Sequence, residues 1–277
     1  MTKADARLPA EPFFLAREGG QRFCLYHPAA DDCRGAVLYV HPFGEEMNRS
    51  RRMAALQARA LAAQGVAVLQ IDLLGCGDSS GESADMRWVG WKADLAAAHA
   101  WLAERTGQPA VLLGLRLGAL LAADYARSAV APLAGLVLWQ PVHAGSAYIN
   151  QFLRLRLASD MMAGGDGATG TASLRAALGT GEVLEVAGYE LHPDLVRELD
   201  LIELAQLAPA GLPLHWMEVA ASAGRPLPPA AARIIQSLGA QVHQVEGPQF
   251  WATQEITECP ALIEATLDAL RKMTDAS

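Results

Sequence analysis

Apolar positions along the chain fall into two kinds of stretch. Short β-prone runs read as strands at Ala36–Val40, Val66–Ile71, Ala110–Leu113, Gly135–Trp139, Leu214–Val219 and Gln241–Val245. The first of these, Ala36–Val40, is a continuous β-prone run of the kind a strand covered on both faces needs. Between them the apolar spacing turns helical. Asn48–Gln64 places Met53, Leu56 and Leu61 at helical spacing and stops at Gly65, and Trp88–Arg105 sets Trp88, Trp91, Leu95 and Trp101 close to one face. Leu117–Ala126, Pro229–Leu238 and Ala261–Lys272 complete the predicted helices. Ahead of them all, two short apolar runs between Phe13 and Tyr26 flank Gly19-Gly20, a hairpin signal.

Strands alternating with helices predict an α/β fold: a mostly parallel twisted sheet of about eight strands with helices on both faces. The alternation breaks after Pro141. From Ala144 to about Leu207 there are helical pieces, a glycine-rich loop at 164–170 and a small hairpin near Val183–Leu191. The predicted organisation is one domain over residues 1–277, with 144–207 as a lid or cap inserted late in the sheet.

Composition narrows the class. Of 277 residues, 52% are hydrophobic and 19% charged, which excludes a disordered chain and supplies a large core. The formal charge of −8 makes nucleic-acid and anionic-membrane binding electrostatically repulsive. Cys24, Cys33, Cys76 and Cys259 are scattered without a CxxC pair, so neither a disulfide scaffold nor a zinc site is expected. Met1–Glu11 lacks an apolar signal core. The longest stretch free of acidic and basic residues, Ser128–Leu153, contains Pro132, Gln140, Pro141, His143 and Asn150 and reads as strand plus loop. These features predict a cytoplasmic protein without membrane insertion.

The most informative motif runs from Leu112 to Leu121. A buried strand enters Gly114-Leu115-Arg116-Leu117-Gly118 and passes straight into a helix. This is the frame of a nucleophile elbow, whose apex side chain is held over the carboxyl end of the sheet. Here the apex is Arg116. A permanently protonated guanidinium cannot attack a carbonyl, but it binds carboxylate or phosphate. Three roles stay open for it: an internal ion pair in a dead site, a ligand anchor, or an electrostatic aid to a nucleophile from elsewhere.

Two motifs are false friends. Gly77-Asp78-Ser79-Ser80-Gly81 matches G-x-S-x-G, but a long turn separates it from the strand before it and no helix follows directly. Neither Ser79 nor Cys76 is expected as a nucleophile. Gly165-x-Gly167-x-x-Gly170 matches the dinucleotide fingerprint, but it follows a helical stretch ending at Met161-Met162, not a strand. No cofactor and no metal are predicted.

The remaining parts of an acyl-transfer site are incomplete. His41-Pro42-Phe43-Gly44 closes the strand Ala36–Val40, where the backbone N–H of Phe43 or Gly44, with that of Leu117, would form an oxyanion hole. His41 itself reads as structural. Among Glu45, Glu46, Arg49, Arg51 and Arg52 most read as a solvated helix start, with one carboxylate able to reach Arg116. Glu218 falls at the acid position. The base belongs in the loop Glu246–Trp251, where Gln249 stands two residues after Gly247 and no histidine is present. His243 lies inside a strand, and His143 is a further candidate.

Together these segments resemble the α/β-hydrolase superfamily over nearly the whole chain. More narrowly, they resemble the exosortase A system-associated hydrolase 2 group, a bacterial group typically encoded near exopolysaccharide and PEP-CTERM protein-sorting genes. The strings that carry the match are His41–Met53, Asp72–Ser79, Gly114–Gly118, Leu138–Val142 and Phe250–Trp251. The resemblance implies a hydrolase fold and ester or thioester chemistry in an exopolysaccharide system. Arg116 and the histidine-free loop depart from the superfamily pattern. With nucleophile and base both replaced, Ser–His chemistry is not expected, since the two act as a unit.

The leading expectation is therefore a degenerate hydrolase that binds a small anionic or acyl ligand through Arg116, Leu117, Phe43, Gly44, His143 and Gln249. Two alternatives stand beside it. One is an ester or thioester hydrolase or acyltransferase using His143, Glu218 or a water held by Arg116. The other is a non-catalytic module that docks a protein partner through 144–207, whose apolar and aromatic content (Tyr148, Phe152, Met161, Met162) could equally form a lid over the pocket.

Overall fold

A computed structural model describes residues 9–162, 170–207, 211–222 and 224–274. The hairpin β1 (Glu11–Arg17) and β2 (Gly20–His27) leads into β3 (Gly35–Val40), α1 (Glu45–Ala62), β4 (Val66–Ile71), α2 (Trp88–Thr106), β5 (Ala110–Leu115), α3 (Leu117–Ala126) and β6 (Leu133–Trp139). An insertion follows, made of α4 (Gly145–Met162), α5 (Thr171–Gly179), the ribbon β7 (Leu184–Val186) and β8 (Tyr189–Leu191), and α6 (Pro193–Asp200). The chain closes with β9 (Leu214–Ala220), α7 (Pro229–Leu238), β10 (Gln241–Glu246) and α8 (Pro260–Thr274).

Eight strands form one sheet in the order β1-β2-β4-β3-β5-β6-β9-β10. The β1–β2 and β2–β4 pairs are antiparallel, and every other neighbouring pair is parallel. This is the α/β-hydrolase fold. Every residue of β3 and of β5 is buried, so successive side chains supply two cores at once. Val37, Val68 and Val111 pack on the side of α1 and α8, while Leu38, Leu69 and Leu112 pack on the side of α2 and α3. Leu174, Leu184, Leu195 and Leu199 of the insertion join that second core.

The predicted spans of β4, α3 and α7 coincide with the observed ones. Helix α1, however, starts at Glu45 and not at Asn48. Gly44 turns the chain at φ 59°, and Glu45 and Glu46 take the first turn, where acidic side chains suit the helix dipole. The proposed glycine-rich loop lies outside the described residues except for Gly170, which N-caps α5. No helix among the described residues is long and apolar enough to cross a membrane.

Candidate functional site at the elbow

Backbone packing dictates the elbow. A Cβ on Gly114 would lie 2.5 Å from the Cα of Ala119, and one on Gly118 would overlap the carbonyl oxygens of Val40 and His41. The two glycines let α3 dock against the ends of β3 and β5. Arg116 between them is at φ 54°, ψ −116°, a conformation that costs an L side chain about 1–3 kcal/mol. Hydrogen bonds hold it there: Arg116 N–H donates to Trp139 O at 3.0 Å, and Arg116 O accepts from the N–H groups of Ala119 at 3.1 Å and Val142 at 3.3 Å.

The guanidinium is directed into a polar chain that crosses the carboxyl ends of the strands. Its Nε donates to Glu46 Oε1 at 3.1 Å and its Nη1 donates to Gln140 O at 3.3 Å. Its Cζ stands 5.8 Å from the ring centroid of Trp251, within cation–π range. Glu46 Oε2 accepts from the Tyr148 hydroxyl at 3.4 Å. The Arg116 and Glu46 side chains are 15% and 20% exposed. Burial pushes the Glu46 carboxyl above the usual carboxylate range, and the Arg116 charge only partly opposes it. Tyr148, fully enclosed and beside Glu46, has its phenol raised well above the ordinary value.

The acid position is occupied by a constrained side chain. Glu218, buried on β9, accepts from Gln140 Nε2 at 3.1 Å and from Trp216 Nε1 at 2.8 Å. Gln140, at φ 41°, also accepts from the Val219 N–H at 2.8 Å, so one amide ties β6 to β9. His143 is half-buried with its ring 5.7 Å from that of Trp216. Burial lowers its pKa; Glu218 pulls it up and Arg116 pushes it further down.

Phe43 and Gly44 lie where the oxyanion loop was expected. The Phe43 ring is buried against Trp91, Phe152 and Tyr189, with centroids at 6.0, 5.1 and 5.7 Å. Leu117 opens α3, so its N–H has no intrahelical acceptor. Beneath them an apolar void of about 10 Å³, lined by Phe43, Trp91, Leu117 and Leu121 among others, has room for about one water-sized sphere. Gln249 is exposed on the loop after β10, and its carbonyl accepts from the Ala252 N–H at 2.8 Å. Arg116, Glu218, His143, Phe43, Gly44 and Leu117 thus gather at one end of the sheet, while no side-chain contact brings Gln249 to Arg116 among the described residues.

One carboxylate of this helix start was expected to reach Arg116, and Glu46 does so, while Glu45 turns instead to the Tyr189 hydroxyl at 3.1 Å. Tyr148, Gln140 and Trp251 complete the surroundings. Only Glu46 carried a sequence signal, as a carboxylate two residues beyond Gly44 facing an unbalanced apex cation.

The two rejected nucleophiles sit in structural roles. Ser79 Oγ donates to Asp72 O at 2.5 Å and accepts from the Phe23 N–H at 2.9 Å, pinning the loop to the hairpin. Cys76 is buried and its thiol is pushed far up. His41 Nε2 accepts from the Leu73 N–H at 3.2 Å and Nδ1 lies 2.7 Å from Pro42 O. That arrangement fits a neutral ring protonated at Nδ1, with burial lowering its pKa. Among the described residues no cluster of three or more His, Cys, Asp and Glu side chains is arranged to hold a metal ion.

Solved structures with the same architecture include a lipase and a carboxyl esterase by name. Est1E from Butyrivibrio proteoclasticus with bound ferulic acid superimposes with a TM-score of 0.68 at 14% identity, covering 94% of this chain and 98% of that one. A soluble variant of monoglyceride lipase from Saccharomyces cerevisiae, in complex with a substrate analogue, gives 0.65 at 15% identity over 99% and 97% of the two chains. A thermostable carboxyl esterase from Bacillus coagulans, in complex with glycerol, gives 0.65 at 15% identity over 96% and 99%. At these identities the likeness is one of fold. Comparison with curated protein sequences finds no match. The sequence profile described as serine aminopeptidase, S33, matches residues 31–172, a span that takes in the loop His41–Gly44, the elbow and α4. The chain belongs to that hydrolase family, and carries at its elbow an arginine paired with a partly buried glutamate.

Proposed function

We propose that this protein binds an anionic or acyl ligand at the elbow and does not hydrolyse esters by a serine–histidine route. The observation that carries the reading is the Arg116 guanidinium at the strained apex, the point where this fold presents its reacting group. Glu218 and His143 do not form a nucleophile–base pair there: both Glu218 oxygens already accept hydrogen bonds from neutral donors, and the imidazole is turned to Trp216. The backbone donors of Leu117 and of Phe43 or Gly44 survive the loss of a nucleophile and favour negative charge. Esterase, lipase and thioesterase names among the structural neighbours support an acyl-bearing ligand. The strings shared with the exosortase A system-associated group support a cytoplasmic role in an exopolysaccharide system.

The test is a thermal-shift panel of alkyl carboxylates, alkyl phosphates and acyl thioesters on the full chain, with a parallel p-nitrophenyl ester assay. Stabilisation by at least one anionic member is expected, lost in Arg116→Ala, with no ester turnover above buffer. Turnover that survives purification and vanishes in Arg116→Ala would sink the non-hydrolytic half. Binding of every anionic member unchanged in Arg116→Ala would sink the ligand-anchor half.

A further inference from the structure

Arg116 already holds a carboxylate. The side-on edge of a guanidinium is formed by Nε and Nη2, and carboxylates prefer to take both donors at once. Glu46 takes only Nε, because its second oxygen is turned to Tyr148. Nη2 has no acceptor among the described residues, so half of that edge is unused. Glu46 lies in the first turn of α1 with Arg49 one turn further on, and the Arg49 charge already acts on it. Swung away from Arg116, the Glu46 carboxylate would have a second cation within reach.

Resting on the ligand-anchor reading above, we propose that Glu46 is a resident stand-in ligand, and that the molecule recognised here is a monoanionic carboxylate on an apolar body which displaces it. Charge balance selects the monoanion. Exchange of one carboxylate for another leaves Arg116 neutralised and passes Glu46 to Arg49, whereas a dianion would leave one negative charge uncompensated in a mostly buried site. The surroundings select the apolar body: Trp251 lies against the guanidinium, Phe43 packs on Phe152 and on Tyr148, whose hydroxyl meets Glu46, and the small void lined by Phe43 and Leu117 is apolar. The same geometry makes the insertion respond to occupancy. Tyr148 belongs to α4, and its hydroxyl contact to Glu46 is released when Glu46 leaves.

Calorimetric titration of the full chain with decanoate, with decyl phosphate (a dianion at pH 7.5) and with decanol tests the exchange. An internal competitor scales apparent affinity down by the fraction of sites it leaves free, so with about one site in ten free Glu46→Gln is expected to bind decanoate about tenfold more tightly than the parent. In the parent, decyl phosphate should bind more weakly than decanoate, Glu46→Gln should narrow that gap by removing the resident negative charge, and decanol should be indifferent. Glu46→Asp, which keeps the charge but shortens the arm, should show the same gain and guards against a folding defect in the first variant. Arg116→Gln should abolish decanoate binding. If Arg116→Gln abolishes binding but neither Glu46 variant tightens it, the exchange is wrong while the anchor stands. Decyl phosphate binding to the parent as tightly as decanoate would overturn the monoanion assignment. Absence of decanoate binding in every variant overturns the exchange. Decanoate binding that ignores Arg116→Gln overturns the anchor itself.

Discussion

Arg116 combines two features that rarely coincide, a positive φ on a long side chain and a charge that is mostly shielded from water. The backbone strain follows from the elbow, where the chain must turn from β5 into α3 within one residue while its glycine neighbours pass close to other backbone. That geometry predicts a strong effect of a small change. Gly118→Ala would drive a methyl group into the carbonyls of Val40 and His41, which are backbone and cannot swing aside. A loss on the order of 2–4 kcal/mol is expected, read as a lower denaturant midpoint with unchanged slope. Replacement of Gly179, whose Cβ would meet nothing within 4 Å, should move the midpoint little and serves as the control.

Elements join through a few buried charges as well as through the two cores. Asp94 on α2 accepts from Arg22 Nε on β2 at 2.8 Å and from the Leu74 N–H after β4 at 2.9 Å, with the two side chains 2% and 3% exposed. Asp94→Asn leaves the Arg22 charge buried with its close partner neutral, so a loss on the order of 3–5 kcal/mol is expected by thermal or denaturant unfolding. Arg22→Met together with Asp94→Leu should recover only part of it, since the apolar pair removes one desolvated ion pair but leaves the Leu74 N–H and Arg17, whose Nε lies 3.6 Å from Asp94, without that carboxylate. At this scale most of the fold was legible. The apolar runs of β3 to β6 carry their own signal, and Gly65 and the prolines before α7 mark boundaries that any folded form must respect. The start of α1 was not legible, because it depends on the positive φ of Gly44 and on Glu46 turning inward. The insertion was readable only as helical pieces: Arg154, Arg156 and Asp160 interrupt the outer half of α4, so its apolar stripe is short. The elbow could be found from spacing alone, whereas its partner lies 70 positions away in sequence, a contact that no local pattern encodes.

Over the whole molecule, buried histidines set how stability responds to acid. His27, on β2, is held at about 4, first by burial and then by Arg59. His215 is likewise held at about 4, by burial, then by His243, whose Nε2 lies 2.8 Å from its Nδ1, and by Lys272. His243 is lowered too, by burial and Lys272 against the pull of Asp268. Each of these pKa values is lower in the folded chain than the ~6.5 of an unfolded histidine, so the unfolded state binds protons first. The stability they contribute is complete above pH ~6.5, declines as pH falls, and is exhausted near pH 4. His27 and His215 together are expected to remove on the order of 5 kcal/mol across that window. Glu46 acts in the opposite direction: its raised carboxyl favours the folded state once protonated, so its contribution is full below the unfolded carboxylate value and fades as pH rises through its own. It offsets part of the histidine loss at the acid end. Unfolding followed by calorimetry from pH 7.5 to 4 should therefore show the transition temperature falling most steeply between 6.5 and 5, and His215→Gln should flatten that slope. A profile unchanged in His215→Gln would assign the acid response to other groups.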